Sequence, residues 1–316
     1  MDPSVIDVPL SRLRAGRAKA RPTLLRESSW ELRAREAKRA LLTAKRLAQW
    51  AIEPSRFAPP TMAAGCPEPR VRFEERVALD RDDPHKEPVF ERGKRHNVRL
   101  AASAFDGLAL DPQRVFSFWR TLGPALASRG FVAGMELRGG CVLPSIGGGL
   151  CLLSNALFRL ALRADFVVVE RHGHTLEAVP LGEGELWGAD ATVAFAHIDL
   201  RFVPRNGRWT LRSHVTETHL VLALEGDVEP THEIKLLNDR VRVVQQPDGA
   251  VREGALVRQR VHRARPDESP VLEVVAEDRK RVLTERELGR NCISCGETSC
   301  HAREEQLALI HPSQRA

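Results

Sequence analysis

The chain has 316 residues and a formal net charge of +6, with 42% hydrophobic and 28% charged residues. This length and hydrophobic content suit one large domain with appendages or two smaller domains. The sequence contains no run of about 18 apolar residues, and the first 30 residues carry basic residues where a signal peptide needs an apolar segment. We therefore expect neither a transmembrane helix nor a signal peptide, and we expect a cytoplasmic protein.

The positive charge is concentrated near the N-terminus. Between residues 11 and 50, 12 Lys and Arg stand against three acidic residues, so the rest of the chain sums to a net charge of −3. A helix is predicted to begin at Ser28 or Ser29 and end at Trp50, because serine caps helices and apolar residues recur in steps of four and three. The apolar stripe comprises Trp30, Ala34, Ala37, Leu41, Ala44 and Ala48.

A basic amphipathic helix of this kind has two interpretations. It can bind the anionic inner face of a membrane, or it can pack against its own domain. No nucleic-acid-binding signature accompanies it, so we expect no nucleic-acid partner.

Prolines between residues 53 and 65 and a polar stretch up to Pro88 predict a linker, after which the apolar patterns become regular. We predict five parts: residues 1–52 as a basic arm, 53–88 as a linker and pre-core segment, 89–228 as the core domain, 229–285 as a small β extension, and 286–316 as a Cys-rich tail.

The core is organised around three glycines that precede a helix predicted over residues 151–163. Consecutive glycines allow a sharp turn and a close approach of the backbone to a ligand, so Gly147, Gly148 and Gly149, with Ser154, are candidate ligand-binding residues. A helix N-terminus lowers the pKa of a thiol placed there. Cys151 is therefore a candidate nucleophile, although a cysteine in this position can also be a packed small hydrophobe.

Two histidines and two aspartates follow this helix in the chain. A valine-rich strand leads to His172 and His174, and Asp190 and Asp199 come later. Papain-like and transglutaminase-like enzymes use the order Cys, His, Asp to activate a thiolate and to orient the imidazole. The sequence leaves open which histidine is the base and which aspartate orients it.

Several of these segments, in this order, resemble the VanW family over residues 97–202. The segments are 115–119, 147–151 with Ser154 and Asn155, 170–174, and 188–193 with Asp199 and Leu200. The resemblance implies an accessory role in glycopeptide resistance or another role related to the cell wall. This sequence departs from the family at Leu152, where glutamine is usual and an amide would be available to polarise a substrate.

The remaining patterns predict the fold class. Alternating residues over 192–202 and 209–224 predict strands, and together with the central helix they indicate an α+β fold in which the helix beginning at Cys151 packs against an antiparallel sheet. Residues 232–283 predict a small antiparallel extension whose role is binding or packing.

The tail brings Cys292, Cys295 and Cys300 within nine residues. This spacing suits a zinc ion or an iron–sulfur cluster, with a fourth ligand from Cys66, His301 or a partner subunit. Free thiols or a redox pair are the alternative.

Two functional hypotheses follow. The first is an enzyme that performs cysteine-dependent acyl transfer or amide hydrolysis on an unidentified small molecule or peptide. The second is a non-catalytic protein that binds a ligand at the glycine turn. A Cys151 sulfur close to an imidazole in an open cleft favours the enzyme.

Overall fold

A computed structural model describes residues 29–58, 66, 68–80, 87–138, 140–177, 181, 185–247, 249–284 and 287. The helices are α1 (Ser29–Ile52), α2 (Pro88–Phe105), α3 (Phe118–Leu122) and α4 (Cys151–Arg163). The strands are β1 (Val71–Ala78), β2 (Leu108–Leu110), β3 (Phe116–Ser117), β4 (Ala133–Arg138), β5 (Cys141–Ile146), β6 (Val167–Glu170), β7 (Leu176–Glu177), β8 (Arg201–Val203), β9 (Trp209–Val215), β10 (His219–Gly226), β11 (His232–Gln246), β12 (Gly249–His262) and β13 (Val271–Val282).

The core consists of α4 and α2 packed against an antiparallel sheet with the strand order β1-β10-β9-β2. The predicted apolar face of α4, formed by Leu153, Leu157, Leu160 and Ala161, is buried. Burying a leucine side chain contributes about 1.5–3 kcal/mol, so this face is a main source of core stability. The predicted α+β class, with the helix that begins at Cys151 against an antiparallel sheet, is confirmed.

Three smaller sheets surround this core. Strands β3, β8 and β6 form one, β4 and β5 form a hairpin, and β11, β12, β13 and β7 form the extension. The extension is attached to the core because β13 pairs in parallel with β7, which follows the two histidines. Thus the end of β13 lies beside the segment that carries His174.

Two local predictions differ from the structure. The segment expected as a linker contains β1, which pairs along its full length with β10 and belongs to the core sheet. The strand expected over residues 192–202 is reduced to a turn with an isolated bridge and the short β8. The backbone hydrogen bonds of this segment go elsewhere: the Thr192 N–H donates to the His172 carbonyl, Ala194 and Ile198 bond to each other, and the Leu200 carbonyl accepts from the Phe118 N–H.

No helix in the described part of the chain is long and apolar enough to cross a membrane.

Candidate active site

The turn formed by Gly147, Gly148 and Gly149 packs closely against the backbone of β4, and this packing positions the N-terminus of α4. A Cβ atom on Gly148 would lie 2.4 Å from the carbonyl carbon of Gly134 in β4. The side chain of Asn97 in α2 donates hydrogen bonds to the carbonyls of Gly148 (3.0 Å) and Val132 (2.9 Å). Gly147 and Gly149 have φ of +78° and +97°, a region that glycine adopts without strain.

This packing gives the glycines a structural role. Gly147 and Gly148 are buried, and Ser154 is fully buried and donates a hydrogen bond to the carbonyl of Ala191 (2.5 Å). The neighbouring Asn155 side chain accepts a hydrogen bond from the Ala191 N–H (2.8 Å). These bonds fix the segment around residue 191 over the first turn of α4.

His174 and Asp190 meet at the start of α4. Asp190 Oδ2 lies 2.6 Å from His174 Nδ1 and also accepts a hydrogen bond from the His174 backbone N–H (3.0 Å). The remaining ring nitrogen, Nε2, is then available to the half-buried Cys151, whose thiol is hydrogen-bonded to His174. The structure therefore brings the side chains of Cys151, His174 and Asp190 together at the start of α4.

Asp190 is held in place by two cations from different parts of the chain. Lys280 Nζ lies 2.5 Å from Asp190 Oδ1, and Arg171 contacts the same oxygen (3.2 Å) while forming a bidentate pair with Asp278. Burial raises the pKa of Asp190, but the His174 hydrogen bond and the charges of Lys280 and Arg171 lower it well below its usual range. Asp190 is therefore a carboxylate throughout the neutral pH range.

The electrostatics of the site favour an ion pair between thiolate and imidazolium. Burial alone would lower the pKa of His174, but the hydrogen bonds and charges of Asp190 and Cys151 raise it to about 9. Burial raises the pKa of the Cys151 thiol, but the hydrogen bond and charge of His174 bring it below its ordinary value. Smaller contributions come from the Val193 N–H and from the Thr192 hydroxyl, whose oxygen lies 3.7 Å from the sulfur.

The other two candidate residues lie in a separate cluster. His172 Nε2 is 3.2 Å from Glu170 Oε1 and is exposed. Asp199 is fully buried, accepts hydrogen bonds from the Ser117 hydroxyl (2.6 Å) and the Trp119 N–H (3.1 Å), and lies 3.7 Å from Arg46. His172 and Asp199 thus bond to the residues around Glu170 and Ser117, whereas His174 bonds to Asp190.

Asp199 gives a prediction for stability against pH. Burial raises the pKa of Asp199 to about 6, despite the hydrogen bonds that it accepts. An acid with a raised pKa in the folded state loses its stabilising contribution as the pH rises from about 4 to about 6. The unfolding free energy of Asp199→Asn minus that of the wild type should therefore increase by up to about 3 kcal/mol over this range and stay level above it.

Urea unfolding of both proteins at pH 4, 5, 6 and 7 measures this difference. A difference that is the same at all four pH values would mean that Asp199 titrates in the folded protein as it does in the unfolded chain.

The predicted metal site lies mostly outside the described residues. Cys292, Cys295, Cys300 and His301 are not among them, so a zinc ion or iron–sulfur cluster there stays a prediction. Cys66 is buried beside the core sheet, and its backbone N–H donates to Thr210 Oγ1 (2.6 Å). Within the described ranges, no group of three or more His, Cys, Asp or Glu residues could hold a metal ion.

Sequence reasoning missed the residues that support Asp190. Lys280 and Asp278 lie in β13, in an extension to which the sequence assigned only binding or packing. The extension also holds the loop before Asp190, because the Asn238 side chain bonds to the backbone N–H (3.1 Å) and carbonyl (2.8 Å) of Trp187. The only sign of this role in the sequence is that Asp278 and Lys280 are charged residues at alternate positions. Alternate charges are typical of any strand with one face in solvent, so they did not indicate a functional site.

Part of the chain is similar in sequence to known proteins. Residues 93–224 match the family model described as VanW like protein, so this part of the chain is similar to the VanW family. The matched part runs from α2 to β10 and contains Cys151, His174 and Asp190, whereas β13 lies outside it.

Two relatives define the extent of the similarity. The chain is 28% identical over 184 residues to the vancomycin B-type resistance protein VanW of Enterococcus faecalis, which covers 57% of this chain and 66% of that protein. It is 32% identical over 111 residues to the uncharacterized protein YoaR of Bacillus subtilis, covering 35% of each. The chain thus spans less than two thirds of the length of either relative. No solved structure gives a significant match.

Proposed function

We propose that this protein catalyses cysteine-dependent acyl transfer or amide hydrolysis on a peptide related to the cell wall. The observation that carries the proposal is that His174 interacts with both Cys151 and Asp190, with the Thr192 hydroxyl and the Val193 N–H also at the sulfur. A thiolate, an acid–base histidine and an orienting carboxylate are the groups that this chemistry requires.

The proposed reaction has two halves. The Cys151 thiolate attacks an amide carbonyl carbon, a C–S bond forms, and the carbonyl oxygen becomes an oxyanion. As the C–N bond breaks, the His174 imidazolium gives its proton to the departing amine, and the acyl group remains on Cys151 as a thioester. Water or an amine then attacks the thioester and loses its proton to His174. The C–S bond breaks, which regenerates the Cys151 thiolate beside the His174 imidazolium and releases an acid or a new amide.

The substrate class rests on the comparisons. One relative is named as a vancomycin B-type resistance protein, and peptide amides occur in cell-wall precursors. We therefore propose a role related to glycopeptide resistance, with a peptide of the cell wall as the acyl donor.

Selective alkylation of Cys151 tests the proposal. Iodoacetamide at pH 6.5, followed by mass spectrometry of the labelled peptides, should modify Cys151 before the other five cysteines, because its thiol has a lowered pKa. Cys151→Ser should remove this rapid labelling, whereas the matched control Cys141→Ser should leave it unchanged. Uniform labelling of all exposed cysteines would contradict an activated nucleophile and would favour the non-catalytic ligand-binding alternative.

Thr192 gives a further prediction at the same site. Leu152 provides no amide where the family usually has glutamine. Besides His174, the Thr192 hydroxyl and the Val193 N–H are groups at the sulfur that can stabilise negative charge. Thr192→Val keeps the side-chain shape and removes the hydroxyl. The alkylation rate at pH 6.5 should fall severalfold, and the acyl-transfer rate should fall with it, because less Cys151 thiolate is present.

The control for Thr192→Val is Thr216→Val, which removes a hydroxyl from the β9–β10 turn. Equal alkylation rates for Thr192→Val and Thr216→Val would show that the Thr192 hydroxyl does not act on the thiolate.

A further inference from the structure

We propose that α1 binds an anionic lipid surface through the apolar stripe that it turns away from the domain. In the structure the stripe continues by one further step of four residues to Ile52, where α1 ends. Its large side chains are exposed: Trp30 by 69%, Leu41 by 70% and Ile52 by 79%. The four alanines between them, Ala34, Ala37, Ala44 and Ala48, are exposed as well. At 1.5 Å per residue, the stripe from Trp30 to Ile52 is about 33 Å long.

The opposite face of α1 holds the helix on the domain. Arg46 forms a bidentate pair with Glu170 in β6 (2.8 and 2.9 Å), and the carbonyl of Trp50 accepts a hydrogen bond from Arg120 (3.0 Å). At 100° per residue, Arg46 and Trp50 lie about 160° from the centre of the stripe. The docked face and the stripe are thus on opposite sides, so the stripe cannot reach the core without breaking the pair between Arg46 and Glu170.

Charge complementarity selects the occupant. Lys38 and Lys45 lie along one border of the stripe and Arg33 along the other, and all three are exposed. An apolar stripe bordered by cations suits a helix lying in a lipid interface, with its apolar side chains at the acyl boundary and its cations among phosphate headgroups. A second copy of this chain would bring the same cations face to face and is disfavoured by repulsion.

This surface is independent of the proposed active site. Helix α1 lies before the segment that matches the family model, and none of its residues touches Cys151, His174 or Asp190 through the bonds described above. Lipid binding by α1 therefore does not depend on the proposed reaction at Cys151.

Co-sedimentation of the full chain with vesicles tests the proposal. Vesicles of phosphatidylcholine that contain about one third phosphatidylglycerol have a clearly negative surface and should bind the protein. Vesicles of pure phosphatidylcholine should bind it about tenfold less. Raising the NaCl concentration from about 50 mM to about 300 mM should weaken binding severalfold, because exposed charges are screened. Equal binding to both vesicles, or binding to neither, would overturn the proposal.

Matched variants locate the surface. Trp30→Ser with Leu41→Ser should reduce binding about tenfold or more. The control pair is Leu42→Ser with Leu47→Ser, which also removes two exposed apolar side chains of α1, but from positions off the stripe. This control should bind the vesicles within about twofold of the wild type. For the charges, Lys38→Gln with Lys45→Gln should weaken binding, whereas Lys235→Gln with Arg279→Gln, exposed in the extension, should not.

Two results would point elsewhere. Equal losses in the stripe pair and the control pair would show that the stripe is not the lipid-binding face. Dimers in size-exclusion chromatography without lipid, abolished by Trp30→Ser with Leu41→Ser, would assign the stripe to self-association and overturn the proposal.

Discussion

Replacing Asp190 with asparagine should slow the alkylation of Cys151 at pH 6.5 about tenfold or more. Asp190 raises the pKa of His174, which reaches about 9 in the wild type. Without the carboxylate, that pKa falls toward the ordinary value of about 6.5, so less imidazolium is present to stabilise the thiolate. Each unit by which the thiol pKa then rises reduces the thiolate fraction tenfold.

The pH profile gives the sign of the effect. The wild-type alkylation rate should stay high below the ordinary thiol pKa of about 8.5, and in Asp190→Asn its midpoint should move up toward that value. Acyl transfer also needs the protonated His174, so its rate in the wild type should fall as the pH rises through about 9.

The chain offers matched controls for this experiment. Asp199→Asn and His172→Gln change the alternative aspartate and histidine, and both should leave alkylation of Cys151 within about twofold of the wild type, because neither residue touches the sulfur. His174→Gln should behave like Asp190→Asn. If Asp199→Asn were as slow as Asp190→Asn, or if neither variant changed the profile, the assignment of Asp190 would be wrong.

Asp190→Asn also leaves Lys280 and Arg171 with one carboxylate fewer. Their remaining partner is Asp278, which contacts Arg171 at 2.5 Å and Lys280 at 3.7 Å. Thermal unfolding monitored by circular dichroism separates a local effect from loss of the fold. A cooperative transition together with slow alkylation supports the local effect.

Replacing Gly148 with alanine should destabilise the protein by about 3 kcal/mol or more. The added Cβ would meet the carbonyl carbon and oxygen of Gly134 at 2.4 and 2.5 Å and the N–H nitrogen of Met135 at 2.8 Å. These are backbone atoms, so no side chain can rotate away, and β4 must separate from the turn. Urea unfolding measures the loss, and alkylation of Cys151 should slow in parallel because the turn positions α4.

The control is Gly249→Ala in the β11–β12 hairpin. Gly249 has φ of +135°, but a Cβ there has no atom within 4 Å. Its cost comes from backbone conformation alone, about 1 kcal/mol, with no effect on the thiol. A Gly148→Ala protein as stable as Gly249→Ala would mean that β4 and the glycine turn are not in close contact.

Local patterns in the sequence determined several elements of this protein. The steps of three and four predicted α1, and the glycines followed by apolar residues predicted α4 and its buried face. Helices of this length are readable because amphipathic periodicity and capping are properties of neighbouring residues. The order Cys, His, Asp also limited the candidate site to two histidines and two aspartates.

Only the tertiary structure decided between those candidates. His174 and Asp190 lie 16 residues apart and face each other. Ser154 and Asn155 bond to the backbone of residue 191 and so hold the segment next to Asp190 against α4. His172, two residues before His174, turns to Glu170 instead. A loop conformation of this kind depends on bonds to distant segments, which no local pattern encodes.

The support of Asp190 by Lys280 is the clearest case. The two residues are 90 apart in the sequence, and the parallel pairing of β13 with β7 brings them together. The sequence predicted a strand over residues 271–275 but not its continuation to residue 282, and the alternate charges of that continuation are equally consistent with exposure to solvent. The position of Lys280 beside a buried carboxylate follows from long-range strand pairing, which is set by the packing of the whole domain.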